Sequence, residues 1–263
     1  MVALGGCSSE AKLLQHEKNA NAFFAAGDYA KAELEYLNVF KLDPKNIHAL
    51  RQIGVMAHEQ GRIGFSLVYL QRAKELAPTD LATRLKLGLV YLSLGNRADA
   101  SAEAAFVLEQ RPDDAEAAQL LAEATSDDAG LSALRERLLA LPAERIGSAA
   151  MQLALGILDV KQGRTADATQ RFQRALELDP NLAGAHSGLG VIHSLAKSWD
   201  EADQAYKRAA DLSSARSPRR LHYITFKLQP GDKAGARAAL EALLKQAPDF
   251  ITAKVRLAEI AVS

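Results

Sequence analysis

The prolines of this chain recur at a fixed spacing. Pro44, Pro78, Pro112, Pro180 and Pro248 are separated by 34, 34, 68 and 68 residues, all of them multiples of 34. A fixed period of about 20–50 residues is the signature of a repeat architecture, in which each unit buries its apolar face against its neighbours. We therefore predict an elongated array of repeats rather than a single globular core.

The spacing also sets the predicted boundaries of the repeats. With Leu13 as the first residue, later repeats begin at Ile47, Leu81, Ala115, Ala149, Ala183, Ser217 and Ile251. We expect a terminal segment over 1–12, seven repeats over 13–250 with a degenerate one at 115–148, and the first helix of a partial eighth repeat over 251–263. This last helix lacks a polar outer face, so we expect the array to continue or to dimerise at this end.

Two columns of the repeat hold small residues. The eighth positions are Ala20, Gly54, Gly88, Ala122, Gly156, Gly190 and Ile224, and the twentieth are Ala32, Ser66, Ala100, Leu134, Ala168, Ala202 and Ala236. This pattern resembles the tetratricopeptide repeat, in which two helices cross closely at these positions. The resemblance implies an all-α fold, a right-handed superhelical solenoid of antiparallel helix pairs.

Recurrent breaks in the pattern predict the ends of the helices. Glycines at the fifteenth position of five repeats suit a turn with positive φ after the first helix; they are Gly27, Gly61, Gly95, Gly163 and Gly231. The prolines at position 32 end the second helix. Asn46, Asp80 and Asp114 are then expected to cap the helices that follow.

The fourth repeat departs from the pattern. Leu134 replaces the small residue, Pro142 interrupts the second helix, and Ile146 stands where a proline is expected. Three regular repeats precede this segment and three follow it. The sequence favours equally a hinge and degenerate drift without function.

The N-terminus carries a short motif around the single cysteine. The segment Leu4-Gly5-Gly6-Cys7 resembles the lipobox of bacterial lipoproteins, in which the cysteine becomes the lipidated N-terminus. The basic and apolar stretches that precede a lipobox are absent from this sequence. The alternatives are therefore a lipid anchor at Cys7 and an incidental thiol.

A binding face follows from the resemblance. In tetratricopeptide proteins, side chains at positions 2, 5, 9 and 12 of each first helix line the concave groove. The predicted groove residues here are Leu14, Asn21, Phe24, Arg51, Val55, His58, Leu85, Leu89, Leu92, Leu153, Ile157, Val160 and Val191. Because most are apolar, we expect a protein or peptide ligand. The alternative is that these side chains pack between neighbouring repeats.

Several classes of function are disfavoured. Lys plus Arg equals Asp plus Glu, at 32 each, so there is no electrostatic case for nucleic acid. His48 and His58 are ten residues apart on one predicted helix, roughly 15 Å, which is too far to share a metal ion. No nucleophile motif or carboxylate cluster is evident, so we expect no catalytic residues, no metal and no cofactor.

One ligand class known for this fold is also disfavoured. Chaperone adaptors grip an acidic C-terminal peptide with two asparagines and several basic residues at positions 5 and 9 of the groove. Asn21 matches the first asparagine, whereas Val55 replaces the second. Glu17, Leu85 and Leu89 stand where basic residues are expected. We therefore expect no chaperone-type carboxylate clamp.

The sequence favours a noncatalytic interaction scaffold. The chain resembles bacterial tetratricopeptide lipoproteins of exopolysaccharide secretion and protein sorting, and the shorter pilotins of type IV pili. The resemblance implies a periplasmic protein anchored to the outer membrane only through Cys7. The alternative is a cytoplasmic adaptor or a regulatory module of a larger protein. A glycan-binding solenoid fits less well because the predicted groove has few aromatic residues.

Overall fold

The computed structural model describes the backbone of residues 6–229 and 231–262 and the side chains of residues 9–229 and 231–261. Within these ranges the chain forms sixteen α-helices and no strand. The helices are α1 (Gly6–Ala25), α2 (Tyr29–Leu42), α3 (Ile47–Glu59), α4 (Ile63–Leu76), α5 (Leu81–Ser93), α6 (Arg97–Gln110), α7 (Ala115–Ala124), α8 (Asp128–Leu139), α9 (Ala143–Ile146), α10 (Ala149–Lys161), α11 (Thr165–Leu178), α12 (Ala183–Leu195), α13 (Trp199–Asp211), α14 (Pro218–Leu228), α15 (Lys233–Gln246) and α16 (Ile251–Val262).

The chain divides into two compact units. Unit 1 is Met1–Glu103 and unit 2 is Ala104–Ser263, so the boundary falls within α6. In each unit, consecutive helices joined by short turns pack against each other, as α1 does on α2 and α12 on α13. Hairpins of this kind confirm the predicted all-α, tetratricopeptide-like fold class.

The eighth and twenty-fourth positions of one repeat pack directly on each other. A Cβ added at Gly54 would lie 2.6 Å from Cγ of Leu70, and one at Gly190 would lie 2.7 Å from the Tyr206 ring. All seven residues at the eighth position are buried. One large side chain from the second helix therefore packs directly on the residue at position 8. This contact explains why large side chains are nearly absent from that position.

The predicted turns and caps are confirmed. All five glycines at the fifteenth position have positive φ, between 72° and 86°. The side chains of Asn46, Asp80 and Asp114 each accept a hydrogen bond from the backbone N–H three residues later. These local signals end one helix and start the next, and so fix the length of each repeat.

Lys197 occupies the same turn position without being glycine. Its φ of 57° places it in the left-handed region, where a Cβ is unfavourable. We expect Lys197→Gly to raise the free energy of unfolding by about 0.5–1 kcal/mol because it removes that strain. Urea unfolding followed by circular dichroism measures the change. The matched control is Gly95→Ala, in which the new Cβ would have open space around it. This substitution should lower the free energy of unfolding by about 1 kcal/mol, because it places a Cβ at a position with positive φ. An unchanged or lower stability for Lys197→Gly would contradict the account.

Repeat four is distorted but firmly attached to α10. Its second helix is broken at Pro142 into α8 and the short α9. The ammonium of Lys161 donates to the carbonyls of Ala122 at 2.6 Å and Glu123 at 3.0 Å, and also to that of Thr125. These carbonyls lie at the C-terminus of α7, where no intrahelical donor remains. These hydrogen bonds join the first helices of repeats four and five.

Helix α1 begins at Gly6 and passes through residue 12 without a break. The C-terminal part of the predicted terminal segment 1–12 is therefore helical and continuous with the first helix of repeat one. Residues 1–5, which include part of the lipobox-like motif, lie outside the described residues, as does the side chain of Cys7. Among the helices described here, none has both the length and the apolar character needed to cross a membrane.

Candidate functional site

The predicted groove residues lie on the first helices of the hairpins. Unit 1 contributes α1, α3 and α5, and we call the predicted groove residues of these helices the unit 1 face. They are Leu14, Asn21, Phe24, Arg51, Val55, His58, Leu85, Leu89 and Leu92. Unit 2 contributes Leu153, Ile157 and Val160 on α10 and Val191 on α12.

The α5 side of the unit 1 face, together with Val55 of α3, is apolar and partly open. Val55, Leu85, Leu89 and Leu92 are all half-buried. Leucine and valine side chains in this state have apolar area left to bury, and each full burial of such a side chain contributes about 1.5–3 kcal/mol. An incoming apolar side chain would bury this remaining area.

Asn21 has a defined orientation on this face. Its Oδ1 accepts a hydrogen bond from the Tyr36 hydroxyl at 2.6 Å and lies 3.0 Å from Nε2 of His48. Tyr36 is fully buried, while Asn21 is exposed. Because the carbonyl oxygen is engaged, the amide N–H₂ of Asn21 is the group left to donate to a ligand. Tyr36 belongs to the second helix, so a search of the first-helix positions alone misses it.

Polar side chains of α3 on this face are held by bonds between neighbouring repeats. Arg51 forms an ion pair with Asp80 at 2.6 Å, and His58 Nε2 lies 2.9 Å from the Ser93 hydroxyl. Burial lowers the pKa of His48 and of His58, and the nearby cation of Arg51 adds to the effect at His48. Both imidazoles are therefore neutral at neutral pH. These side chains offer hydrogen bonds rather than a strong charge.

The two ends of α1 differ on the unit 1 face. Leu14 is 59% exposed, whereas Phe24 packs against the core of the first hairpin and stacks on Tyr29 with ring centroids 5.5 Å apart. Phe24 is therefore partly a structural residue. Leu14 is open to solvent and remains a predicted contact.

In unit 2 one predicted groove residue is corrected. Leu153 is only 3% exposed, because α12 crosses directly over it: a Cβ at Gly184 would lie 2.5 Å from Leu153 Cδ2. Leu153 is therefore a core residue, which agrees with the alternative that these side chains pack between neighbouring repeats. Ile157 and Val160 are half-buried against the same core cluster, and Val191 is half-buried against Tyr206 and Phe226. The apolar surface left open in unit 2 is smaller than the sequence suggests.

The described side chains show no arrangement that points to a reaction. Within residues 9–229 and 231–261, no three or more His, Cys, Asp or Glu residues are grouped to hold a metal ion. Asp159 is fully buried, but it is paired with Arg135 and lies 3.5 Å from Arg171 Nε. A carboxylate neutralised in this way serves packing rather than proton transfer. The arrangement on the first helices is suited to contact with another molecule.

Comparisons with known proteins agree with this geometry. The family model described as tetratricopeptide repeat matches residues 18–80 and 153–217. A probable UDP-N-acetylglucosamine–peptide N-acetylglucosaminyltransferase, SPINDLY from Hordeum vulgare, is 26% identical over 191 residues, which is 73% of this chain. The chain spans 17% of the length of that relative.

Solved structures share the fold at low identity. A tetratricopeptide repeat protein from Parabacteroides merdae ATCC 43184 superposes with a TM-score of 0.59 and 15% identity, covering 96% of this chain and 100% of its own. A chain from the crystal structure of the APC/C hetero-tetramer Cut9–Hcn1 gives a TM-score of 0.56 and 15% identity, covering 92% of this chain and 48% of its own. The two matched segments carry the tetratricopeptide repeat pattern, and the solved structures share the all-α, tetratricopeptide-like fold.

Proposed function

We propose that this chain is a noncatalytic scaffold that binds a segment of a partner protein across the unit 1 face. Tetratricopeptide repeats are interaction modules, which supports the class of function. The observation that carries the proposal is the half-buried patch of Val55, Leu85, Leu89 and Leu92. Such a patch gains free energy when a partner covers it.

The polar groups beside the patch favour a peptide as the ligand. Asn21 is held by Tyr36 and His48, so its amide donors are preorganised for a backbone carbonyl. Arg51 is already paired with Asp80, and Glu17 accepts a hydrogen bond from the Asn46 side chain at 2.8 Å. Because the cation of Arg51 is already neutralised by Asp80, the ligand we propose is an apolar segment rather than an acidic tail.

The setting we propose is the bacterial periplasm, with anchorage to the outer membrane through Cys7 and a role in envelope assembly or export of exopolysaccharide and protein. The support is the lipobox-like sequence Leu4-Gly5-Gly6-Cys7. A related alternative is a pilotin of type IV pili. Metabolic labelling with a radioactive fatty acid in the native host tests the anchor. Label that is present in the natural protein and absent from Cys7→Ser supports it, and equal absence from both would contradict it.

A second candidate function is a cytoplasmic adaptor or a regulatory module of a larger protein. The match to SPINDLY favours it, because that relative is much longer than the segment matched by this chain. In this setting Cys7 has no role, while the unit 1 face still binds a partner. Fractionation of the host cell into cytoplasm, periplasm and membranes separates the two candidates.

Leu89→Glu tests the binding face in either setting. Leu89 is half-buried on α5, so a carboxylate there places a charge against an apolar ligand without disturbing the core. We expect partner capture to fall by at least tenfold, because the lost burial and the desolvation of the new charge both oppose binding. Affinity capture from the native host with quantitative mass spectrometry measures the change.

The matched control for this substitution is Val68→Glu. Val68 lies in the same unit on the second helix α4 and is 63% exposed. It should capture the same proteins as the natural chain. If Leu89→Glu captured as much partner as the natural chain while circular dichroism showed a folded protein, the unit 1 face would not be the binding surface.

A further inference from the structure

The hydrogen bonds of two histidines on α3 fix where each neutral ring carries its proton. His48 Nε2 lies 3.0 Å from Oδ1 of Asn21, an amide oxygen that has no proton to give, so the hydrogen between them belongs to His48. His58 Nε2 lies 2.9 Å from Oγ of Ser93. The Ser93 hydroxyl donates its one proton to the carbonyl of Leu89 at 2.9 Å, so here too the imidazole is the donor.

The other ring nitrogen, Nδ1, is therefore a hydrogen-bond acceptor in both residues. A neutral imidazole has one N–H, and with that proton on Nε2 the Nδ1 atom keeps a lone pair. No group in residues 9–229 and 231–261 donates a hydrogen bond to Nδ1 of His48 or His58. Neither Nδ1 atom is both buried and unpaired, so solvent reaches them. Each ring thus offers an open acceptor to a ligand.

The spacing of these two acceptors suits an extended chain. His48 and His58 are ten residues apart on α3, about 15 Å along the helix axis. An extended segment rises about 3.3 Å per residue, so its N–H groups at residues i and i+4 lie on one side and about 13 Å apart. A helix leaves free only the N–H groups of its first turn, and these lie too close together to reach both histidines.

The apolar residues of the unit 1 face lie beside this pair of acceptors. Val55 is on α3 between the two histidines, and Leu85, Leu89 and Leu92 are on α5, which packs against α3. All four are half-buried. A segment extended along α3 could therefore bury apolar side chains on this patch while its backbone N–H groups meet the imidazoles.

Protonation of the imidazoles would remove both acceptors. The charged or titratable groups near the rings are Glu17 on α1, Tyr36 on α2, Arg51 and its partner Asp80, and Lys86 on α5. Burial lowers the pKa of both histidines, and the cations of Arg51 and Lys86 act in the same direction. Below these pKa values, Nδ1 carries a proton and each ring adds a positive charge under an apolar ligand. Affinity should therefore be full at higher pH and fall as the pH falls.

We propose that Nδ1 of His48 and Nδ1 of His58 accept two backbone N–H groups of an extended apolar segment, which is released when the imidazoles are protonated. This inference rests on the proposed function of the unit 1 face. It adds the conformation of the ligand and a dependence of binding on protons.

The peptide acetyl-Leu-Ser-Leu-Ser-Leu-amide is the probe, because it is apolar on one side when extended and has no titrating group. N-methylation of its first and fifth residues removes the one pair of N–H groups that lie four residues apart. This change should weaken binding to the full chain by at least tenfold. N-methylation of the second and fourth residues is the matched control and should weaken binding by less than about twofold. Chemical-shift titration of the ¹⁵N-labelled chain measures the dissociation constants.

The pH dependence of the unmethylated probe tests the role of the imidazoles. From about pH 8 to about pH 5, its dissociation constant should rise at least fivefold for the natural chain. The double variant His48→Gln, His58→Gln keeps amide donors for Asn21 and Ser93 but does not titrate, so the change should be less than about twofold. His186→Gln on α12 is the matched control and should keep the full pH dependence.

Imidazole ¹⁵N chemical shifts report the protonation state directly. Both rings should carry the proton on Nε2, and both Nδ1 resonances should shift when the probe binds; a proton on Nδ1 of the neutral rings would overturn the proposal. Equal binding of the two methylated probes, with binding still lost in Leu89→Glu, would overturn the role of the histidines alone. No binding of the unmethylated probe at about 5 mM would overturn both this proposal and the apolar ligand of the unit 1 face.

Discussion

Gly156→Val is expected to lower the free energy of unfolding by about 3 kcal/mol, because the new side chain would meet a ring that has no room to move. A Cβ at Gly156 would lie 2.7 Å from Cδ1 of Phe172. From the next repeat, a Cβ at Gly188 would lie 2.5 Å from Cε2 of the same ring. Phe172 is fully buried between the two glycines. Urea unfolding followed by circular dichroism measures the loss.

A rescue and a control make the reason specific. Phe172→Leu in the Gly156→Val background should regain part of the loss, because the smaller side chain makes space, so the two changes should not be additive. Gly64→Ala in α4 is the control: its Cβ has nothing within 4 Å, and the better helix propensity should give a gain of about 0.5–1 kcal/mol. If the effects of Gly156→Val and Phe172→Leu were additive, the Phe172 ring would not be what restricts the size of the side chain at position 156.

Asp159→Ala is expected to cost about 3 kcal/mol of stability. The carboxylate is fully buried on α10 and holds Arg135 of α8 and Arg171 of α11, whose side chains are 14% and 23% exposed. Its removal leaves two largely buried cations without their counter-ion, which is more costly than the loss of an exposed ion pair. Hydrogen exchange should show the greatest loss of protection in α8 and α10.

Arg174→Ala is the matched control for the buried ion pairs. Arg174 lies on α11, like Arg171, but its pair with Glu177 is exposed, at 58% and 63% for the two side chains. Its loss should change stability by less than about 0.5 kcal/mol. If Asp159→Ala were equally mild, the attachment of repeat four to α10 would rest on Lys161 and apolar packing instead.

The sequence was sufficient for the hairpins because their determinants are local. A glycine with positive φ and an Asn or Asp cap each act within a few residues, so Gly95 and Asp80 could be assigned without knowledge of any neighbour. The contact between positions 8 and 24 needs only the repeat spacing. These features also explain why the helix ends agree with the prediction.

The candidate site was less predictable because exposure depends on the neighbouring repeat. Leu153 and Leu89 both occupy groove positions, at the fifth and ninth residues of their repeats. Leu153 is buried because α12 carries glycine at 184 and comes close enough to cover it. Leu89 stays half-buried. The orientation of Asn21 depends likewise on Tyr36, fifteen residues away.

Site-specific photocrosslinking in the native host shows directly whether a partner binds the unit 1 face. A photoreactive amino acid at position 89, on the unit 1 face, is compared with the same amino acid at position 68, on the exposed side of α4. We expect a discrete crosslinked partner from position 89 that is absent from position 68 and is lost when Asn21→Ala is added. The same crosslinks from both positions, or none from position 89, would contradict a binding scaffold that uses this face.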